Sequence, residues 1–339
     1  MPMILVVLVI LLTSVLFNLI PGLTRPDLFF AVTVAPEFRR TPDAQRILRR
    51  FRVIVWTFTL VAIAVQLATN LVLVSILILM AAYLWALVNG HHRVLAFAAA
   101  PSSTVEVDLA APDERLPGGL ILPLLPILSM VGLGIWASLN LDRLPQRLPV
   151  HWGLEGPDRW VATTSASVLG FLALHTLLCV FLAGSAWALL NWSRRISTSG
   201  PTAAAERHFR RRVVQLIIVA EYFVAAPAWF ALFQPTPLAL NAWAGALTIT
   251  MLAFAVSLLR AGQGGSREAP ATAAVPEGDH TPDACWKWGL FYVNPADPAL
   301  LIEKRFGVGY TVNFGNRWSW ALLVLILAPV AVGLIFLRR

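Results

Sequence analysis

LPQRLPVHWGLEGPDRW, Leu144 to Trp160, is a short polar stretch between two long apolar ones. Pro145, Pro149 and Pro157 exclude a continuous helix, while Gly153 and Gly156 permit the positive φ of tight turns. The stretch is therefore expected to be a compact, ordered cap joining two helices. Trp152 and Trp160 suit a membrane–water interface, where an indole buries its ring and keeps its N–H wet.

Outward from this cap the chain is strongly apolar. Hydrophobic residues make up 58% and charged residues 13%, with a mean hydropathy of +0.72, whereas about a quarter of residues in soluble domains are charged. The fold class this implies is an all-α polytopic membrane protein whose partner is the lipid bilayer. A span needs about 20 apolar residues, which places eight transmembrane helices near 3–20, 53–69, 71–90, 119–139, 165–190, 213–233, 238–259 and 318–337. Gln66, Thr69 and Asn70 break the run from Val53 to Gly90 into a hairpin, and Gln234–Pro237 split the later run. Met1–Leu23 lacks a charged n-region and an A-x-A-like cleavage site, so it reads as a retained span.

With the N-terminus outside, 21 of the 26 arginines and lysines fall in inner loops and five (Arg143, Arg147, Arg159, Arg338, Arg339) outside. The positive-inside rule then puts the cap, 140–160, outside and segment 261–317 in the cytoplasm. The net charge of +8 reflects arginines flanking spans, and no nucleic-acid partner is expected. In the first inner loop Thr41, Pro42 and Asp43 mark a helix start that runs into the second span, with arginines towards its far end. It reads as a solvated, orienting helix or as a surface for anionic lipid. The loop from His91 to Gly118 reads as a flexible connector, and His91-His92 as a polar helix end. Cys179 lies in an apolar run and Cys285 in a polar one, so no disulfide framework is expected.

The spacing Leu-Pro, Pro149, Val-His-Trp and then Gly-Pro-Asp-Arg-Trp resembles the family catalogued as domain of unknown function 1648, the extracytoplasmic signature of SdpI-type immunity and signalling membrane proteins. That family often has a residue between the glycine and the Pro-Asp pair; here Gly156 and Pro157 are adjacent. The resemblance makes Pro149, His151, Trp152, Gly156, Pro157, Asp158 and Trp160 a candidate recognition cap. Near the other end, Gly262 to Asp283 has a linker's composition. Phe291-Tyr292-Val293 and Tyr310 to Phe314 read as strands around an Asn-Pro-Ala-Asp-Pro turn, a small β-hairpin-like cytoplasmic module. Its Asn294, Pro295, Asp297, Pro298, Lys304, Arg305, Gly307, Gly309, Asn313 and Gly315 resemble the family catalogued as domain of unknown function 5808, which often accompanies the first. Lys304 and Arg305 are expected near lipid headgroups. The domain organisation expected is 1–118, an N-terminal three-helix region; 119–190, helix-cap-helix; 191–260, further helices; 261–284, linker; 285–317, the module; and 318–339, the last helix.

His175 and Glu221 are the ionisable groups deepest inside spans, about 15 and 12 Å from opposite helix ends, a height match that makes them a candidate pair. There is no paired metal spacing, nucleophile elbow or phosphate loop, so no enzyme, cofactor or metal is expected. Three functions compete: a sensor or immunity protein of the SdpI type meeting a peptide or another membrane protein, a proton- or solute-coupled transporter using His175 and Glu221, and a structural subunit. The orientation is checked by labelling Gly153→Cys in intact cells. Modification by an impermeant maleimide is expected; modification only after the membrane is breached would reverse the topology.

Overall fold

The computed structural model describes residues 3–99, 114–153, 156–193, 200–268, 279, 281–324 and 327–328. Seven of its helices are long and apolar enough to cross a membrane: α1 (Met3–Leu23), α2 (Pro42–Thr69), α3 (Val72–Val94), α4 (Ile121–Leu139), α5 (Ser165–Trp192), α6 (Gly200–Phe233) and α7 (Pro237–Ala261). The chain is a multi-pass α-helical membrane protein that also carries small two-stranded hairpins. The expected eighth span is helical at 317–324, and most of the remainder to 337 lies outside the described residues.

Local chemistry explains the helix ends. Thr41 caps α2, its Oγ1 accepting from the Ala44 N–H at 3.3 Å. Asn70 ends the same helix in the left-handed region at φ 54°, where asparagine is tolerated best among residues bearing a Cβ. Gln234 turns the chain between α6 and α7 in the same region, at φ 43°. Thr164 and Ser167 form a reciprocal capping box at the start of α5.

Two compact units divide the chain. Unit 1 comprises residues 1–111, 194–209 and 258–316. Within it α1, α2 and α3 pack through Val6, Ile10, Ala62 and Leu79, and Ser14 bridges Thr59 and the Tyr83 hydroxyl at 2.8 and 2.6 Å. Beyond these helices a tight hairpin, β1 (Leu28–Phe29) and β2 (Val32–Thr33), precedes α2. Four short strands follow late in the chain: β5 (Trp286–Lys287) with β6 (Phe291–Tyr292), and β7 (Leu301–Glu303) with β8 (Tyr310–Val312). The two expected strands are present, but each pairs with a partner not foreseen. Between themselves they form an isolated parallel bridge, Tyr292 to Asn313, beside which the Phe291 and Phe314 ring centroids lie 5.4 Å apart. Phe306 enters an aromatic cluster with Phe17, Phe30 and Phe51, ring centroids 5.8 to 6.3 Å away.

Unit 2 comprises residues 112–193, 210–257 and 317–339. Its core is Met130, Leu133 and Ala137 of α4, Leu172 and Cys179 of α5, and Ala225, Ala228 and Leu232 of α6. Between α4 and α5 the cap is a β-hairpin, β3 (Arg147–Gly153) and β4 (Gly156–Ala162), with register shifts on either side of His151. Prolines argue against central strands, yet both strands of a two-stranded ribbon are edges, and Pro149 and Pro157 fit there opposite Trp160 and Trp152.

The connectors are less loose than their composition implies. Glu114 is ion-paired with the buried Arg210 at 2.5 Å, so that end of the 91–118 connector is fixed; 100–113 lie outside the described residues. Gln263, Gly264, Gly265, Asp279 and Thr281 of the expected linker are buried, while 269–278 and 280 lie outside the described residues.

Candidate functional site

The hairpin cap of unit 2 has two unlike faces. Leu148 is fully buried opposite Val161, and Trp152 packs against the same helix core. Thr163 locks the base, its N–H bonding the Gln146 carbonyl at 3.0 Å and its hydroxyl donating to the Pro145 carbonyl. The other face is open. His151 Nδ1 donates to Asp158 Oδ1 at 2.5 Å with the side chains 56% and 51% exposed. That hydrogen bond holds the Asp158 carboxyl below its ordinary range. Arg159 and Trp160 are exposed beside them, while Gly156, at φ 116°, starts β4 in a conformation reserved for glycine. Pro145, Gln146, Arg147, Trp160 and Gln234 line an open groove of about 370 Å³, and Gln234 Nε2 donates to the Arg147 carbonyl at 3.1 Å. Arg147 and Gln234 were not among the expected cap residues, because only the fold brings the end of α6 to the hairpin.

Deeper in unit 2, the expected pair does not form. His175 Nδ1 donates to the Phe171 carbonyl one turn back, at 2.8 Å. Glu221 is wholly buried, and neither carboxylate oxygen has a hydrogen-bond partner among the described residues. Matching heights bring two groups to one level; meeting also requires facing azimuths. Glu221 lies on the buried stripe Val214, Ile218, Ala225 and Ala228 of α6, with Cys179 Sγ 3.9 Å from its backbone carbonyl.

In unit 1 the late module is built round two polar hubs. Asn313, fully buried, accepts from the Asn294 and Gly315 N–H groups at 3.0 Å and donates to the carbonyls of Asn294, Asp297 and Ala299. Asp297 accepts from the Tyr292 hydroxyl at 2.9 Å and from the Ala299 N–H. Pro295 and Pro298 complete the same turn, and Asn316 donates to the Pro298 carbonyl. A Cβ on Gly315 would lie 2.6 Å from the Asn294 backbone, which explains the glycine. Gly307 and Gly309, at φ 98° and 107°, shape the β7–β8 loop, and the Lys304 N–H bonds the Gly309 carbonyl.

The second hub corrects an expectation. Lys304 is exposed, but Arg305 is fully buried and far from any headgroup role. Its guanidinium donates to both Asp279 oxygens at 2.7 and 2.8 Å, to Asp283, to Thr281 and to the Ala31 carbonyl at 3.1 Å. Burial alone would lower the Arg305 pKa, but Asp279 and Asp283 outweigh it and raise the pKa above the ordinary value. Asp279, equally buried, is held below the carboxylate range because the Arg305 charge and its hydrogen bonds overcome desolvation. Asp283 also accepts from the Thr33 hydroxyl at 2.8 Å. Phe30 and Ala31 sit at φ 45° and 65°, a turn strained by about 1–2 kcal/mol per residue. Their carbonyls are held by His91 Nδ1 at 2.9 Å and by Arg305. A second buried pair, Arg25 and Asp27, lies 3.4 Å apart. Burial opposes the Arg25 charge, but Asp27, Glu303 and Glu206 prevail and raise its pKa. Arg39 closes the C-terminus of α1, donating to the Pro21, Thr24, Arg25, Pro26 and Leu28 carbonyls, and burial pulls its pKa to about 10. Among the described residues no group of three or more His, Cys, Asp or Glu is placed to hold a metal.

Residues 295–320 match the family of unknown function DUF5808. The matched span includes Asp297, Arg305 and Asn313, the residues on which the module's hubs are centred. The chain is also 27% identical over 153 residues to a protoheme IX farnesyltransferase of Maricaulis maris, covering 44% of this chain and 46% of that protein. The chain thus spans less than half the length of the curated relative it matches. No solved structure matches the chain.

Proposed function

We propose that the protein is a non-enzymatic envelope sensor or immunity protein of the SdpI type, with the β3–β4 cap outside the membrane as the surface that meets a peptide or another membrane protein. The observation that carries this reading is the division of the cap. Leu148, Trp152 and Val161 fasten it to the helix core, while His151, Asp158, Arg159 and Trp160 remain exposed on an ordered ribbon. A hairpin serving only to plug the helix ends has no need of an exposed, hydrogen-bonded His–Asp pair and indole on its outer face. The partial likeness to a farnesyltransferase carries no transferase role in this reading. Changing His151, Asp158 and Trp160 together to alanine is expected to abolish the cell's protection or signalling phenotype with membrane abundance unchanged. Loss of abundance in step with phenotype would assign these residues to folding.

A second reading, a proton-coupled transporter, rests on Glu221 alone now that His175 bonds elsewhere. A wholly buried carboxyl with no hydrogen-bonding partner among the described residues is costly in a span and is usually retained for function. Glu221→Gln in proteoliposomes should then reduce proton-driven flux at least ten-fold. Flux at the wild-type level would remove this reading.

A further inference from the structure

The first turns of α2 bury one face and leave another basic. Ala44, Ile47, Phe51, Ile54 and Val55 face the core, while Arg46, Arg49, Arg50 and Arg52 are exposed. Arg46 is paired with Asp43 at 2.5 Å, but Arg49, Arg50 and Arg52 have no acidic partner among the described residues. From Val53 onward the exposed residues turn apolar, with Val53 59% and Leu60 66% exposed. Trp56 is exposed close to this boundary.

The neighbouring helix repeats the arrangement at the same height. The rings of Phe58 in α2 and Trp85 in α3 meet edge to face, 5.9 Å apart, which fixes the register of the two antiparallel helices. About two turns, or roughly 12 Å, from that contact towards the charged end lie Arg50 on α2 and Arg93 on α3. Arg93 is exposed, its Nε resting on Asn89 Oδ1 at 3.0 Å. Trp85, like Trp56, is exposed on the apolar side. A third indole joins them at the charged level. Trp288 is 58% exposed at the tip of the β5–β6 turn, at φ 55°, a conformation unfavourable for a bulky side chain. Its neighbour Gly289 is seated so close to His91 and Ala31 that a Cβ would approach each to 2.9 Å.

We infer that this end of unit 1 is a binding surface for anionic phospholipid headgroups, formed by Arg49, Arg50, Arg52 and Arg93 with Trp56, Trp85 and Trp288 as interfacial anchors. Charge complementarity selects the occupant. Orienting a span requires positive charge in the flanking loop, but not guanidinium groups of two helices at one level with exposed indoles at that level and on the apolar side of it. That layering matches a headgroup phosphate layer above which acyl chains begin. Guanidinium groups also engage phosphate oxygens through paired hydrogen bonds.

The surface is tested by native mass spectrometry of the full-length protein released from micelles holding equal amounts of phosphatidylglycerol and phosphatidylcholine. Preferential retention of phosphatidylglycerol is expected. Arg49→Gln, Arg50→Gln and Arg93→Gln together should lower that preference by roughly five-fold per arginine at low salt, and the corresponding lysine variant should keep most of it. Unfolding in phosphatidylcholine nanodiscs should be unchanged; if the triple variant fails to fold, the single exposed change Arg49→Gln carries the test. Equal retention of the two lipids by the wild type, or an unchanged preference in the glutamine variant, overturns the inference. So does loss of the preference to inorganic phosphate at matched ionic strength, which would assign the arginines to a free anion.

Discussion

Burying a guanidinium is the constraint on which unit 1 depends. An arginine removed from water costs several kcal/mol unless it is paired and its donors are satisfied. Arg305, with no exposed surface, meets that demand from two places far apart in the chain: Asp279, Thr281 and Asp283 just before β5, and the carbonyl of Ala31. Its position therefore settles three others. The segment before β5 must come close enough to supply the acids, and β7–β8 must present Arg305 inward. The β1–β2 turn must offer its strained carbonyl to be held. The adjacent Phe306 adds an apolar contact to the polar one by entering the ring cluster of Phe17, Phe30 and Phe51. The late β module is thus integral to unit 1, and the loop between α1 and α2 owes its conformation to residues some 250 positions later.

The two units divide the chemistry between them. Unit 1 holds Arg305 and Arg25 in buried pairs with aspartates and exposes Arg49, Arg50, Arg52 and Arg93 where its helices change from polar to apolar surroundings. Unit 2 holds a hairpin with one face fastened and the other open, and one buried acid, Glu221, that no hydrogen bond of the described residues explains. The recognition proposed for the open face is what a sensor or immunity protein would need. In that reading the module matching DUF5808 gives unit 1 the rigidity of a fixed body.

What was legible in the sequence follows from how local each signal is. Seven spans could be read because about 20 apolar residues suffice to cross a bilayer, and because Asn70, which tolerates positive φ, and the prolines of Gln234–Pro237 interrupt long runs. The start of α2 was legible in Thr41-Pro42-Asp43 for the same reason. The hairpin form of the cap was hidden by its prolines, which speak against strands unless both strands are edges. The partners of Arg305 were hidden by distance in sequence, and the acids supplying them looked like a linker's scattered charges. Asp279 and Asp283, flanking Thr281 just before the aromatic segment, were the signal available. His175 and Glu221 failed to pair because depth is readable from residue number, whereas the direction a side chain faces depends on which stripe of its helix is buried.

Hydrogen exchange of the purified protein carrying Arg305→Ala tests the central claim directly. Removing the guanidinium strands Asp279 in a dry interior, at a cost of about 3–5 kcal/mol. The amides of Leu28–Val34 and of β5 to β8 should then lose protection together, while those of α4 and α5 in unit 2 keep theirs. Adding Asp279→Asn should restore part of the protection, since it removes the uncompensated charge. Unchanged protection at Leu28–Val34 in the Arg305→Ala protein would contradict the account, for it would mean that the turn and the module are held without the buried arginine.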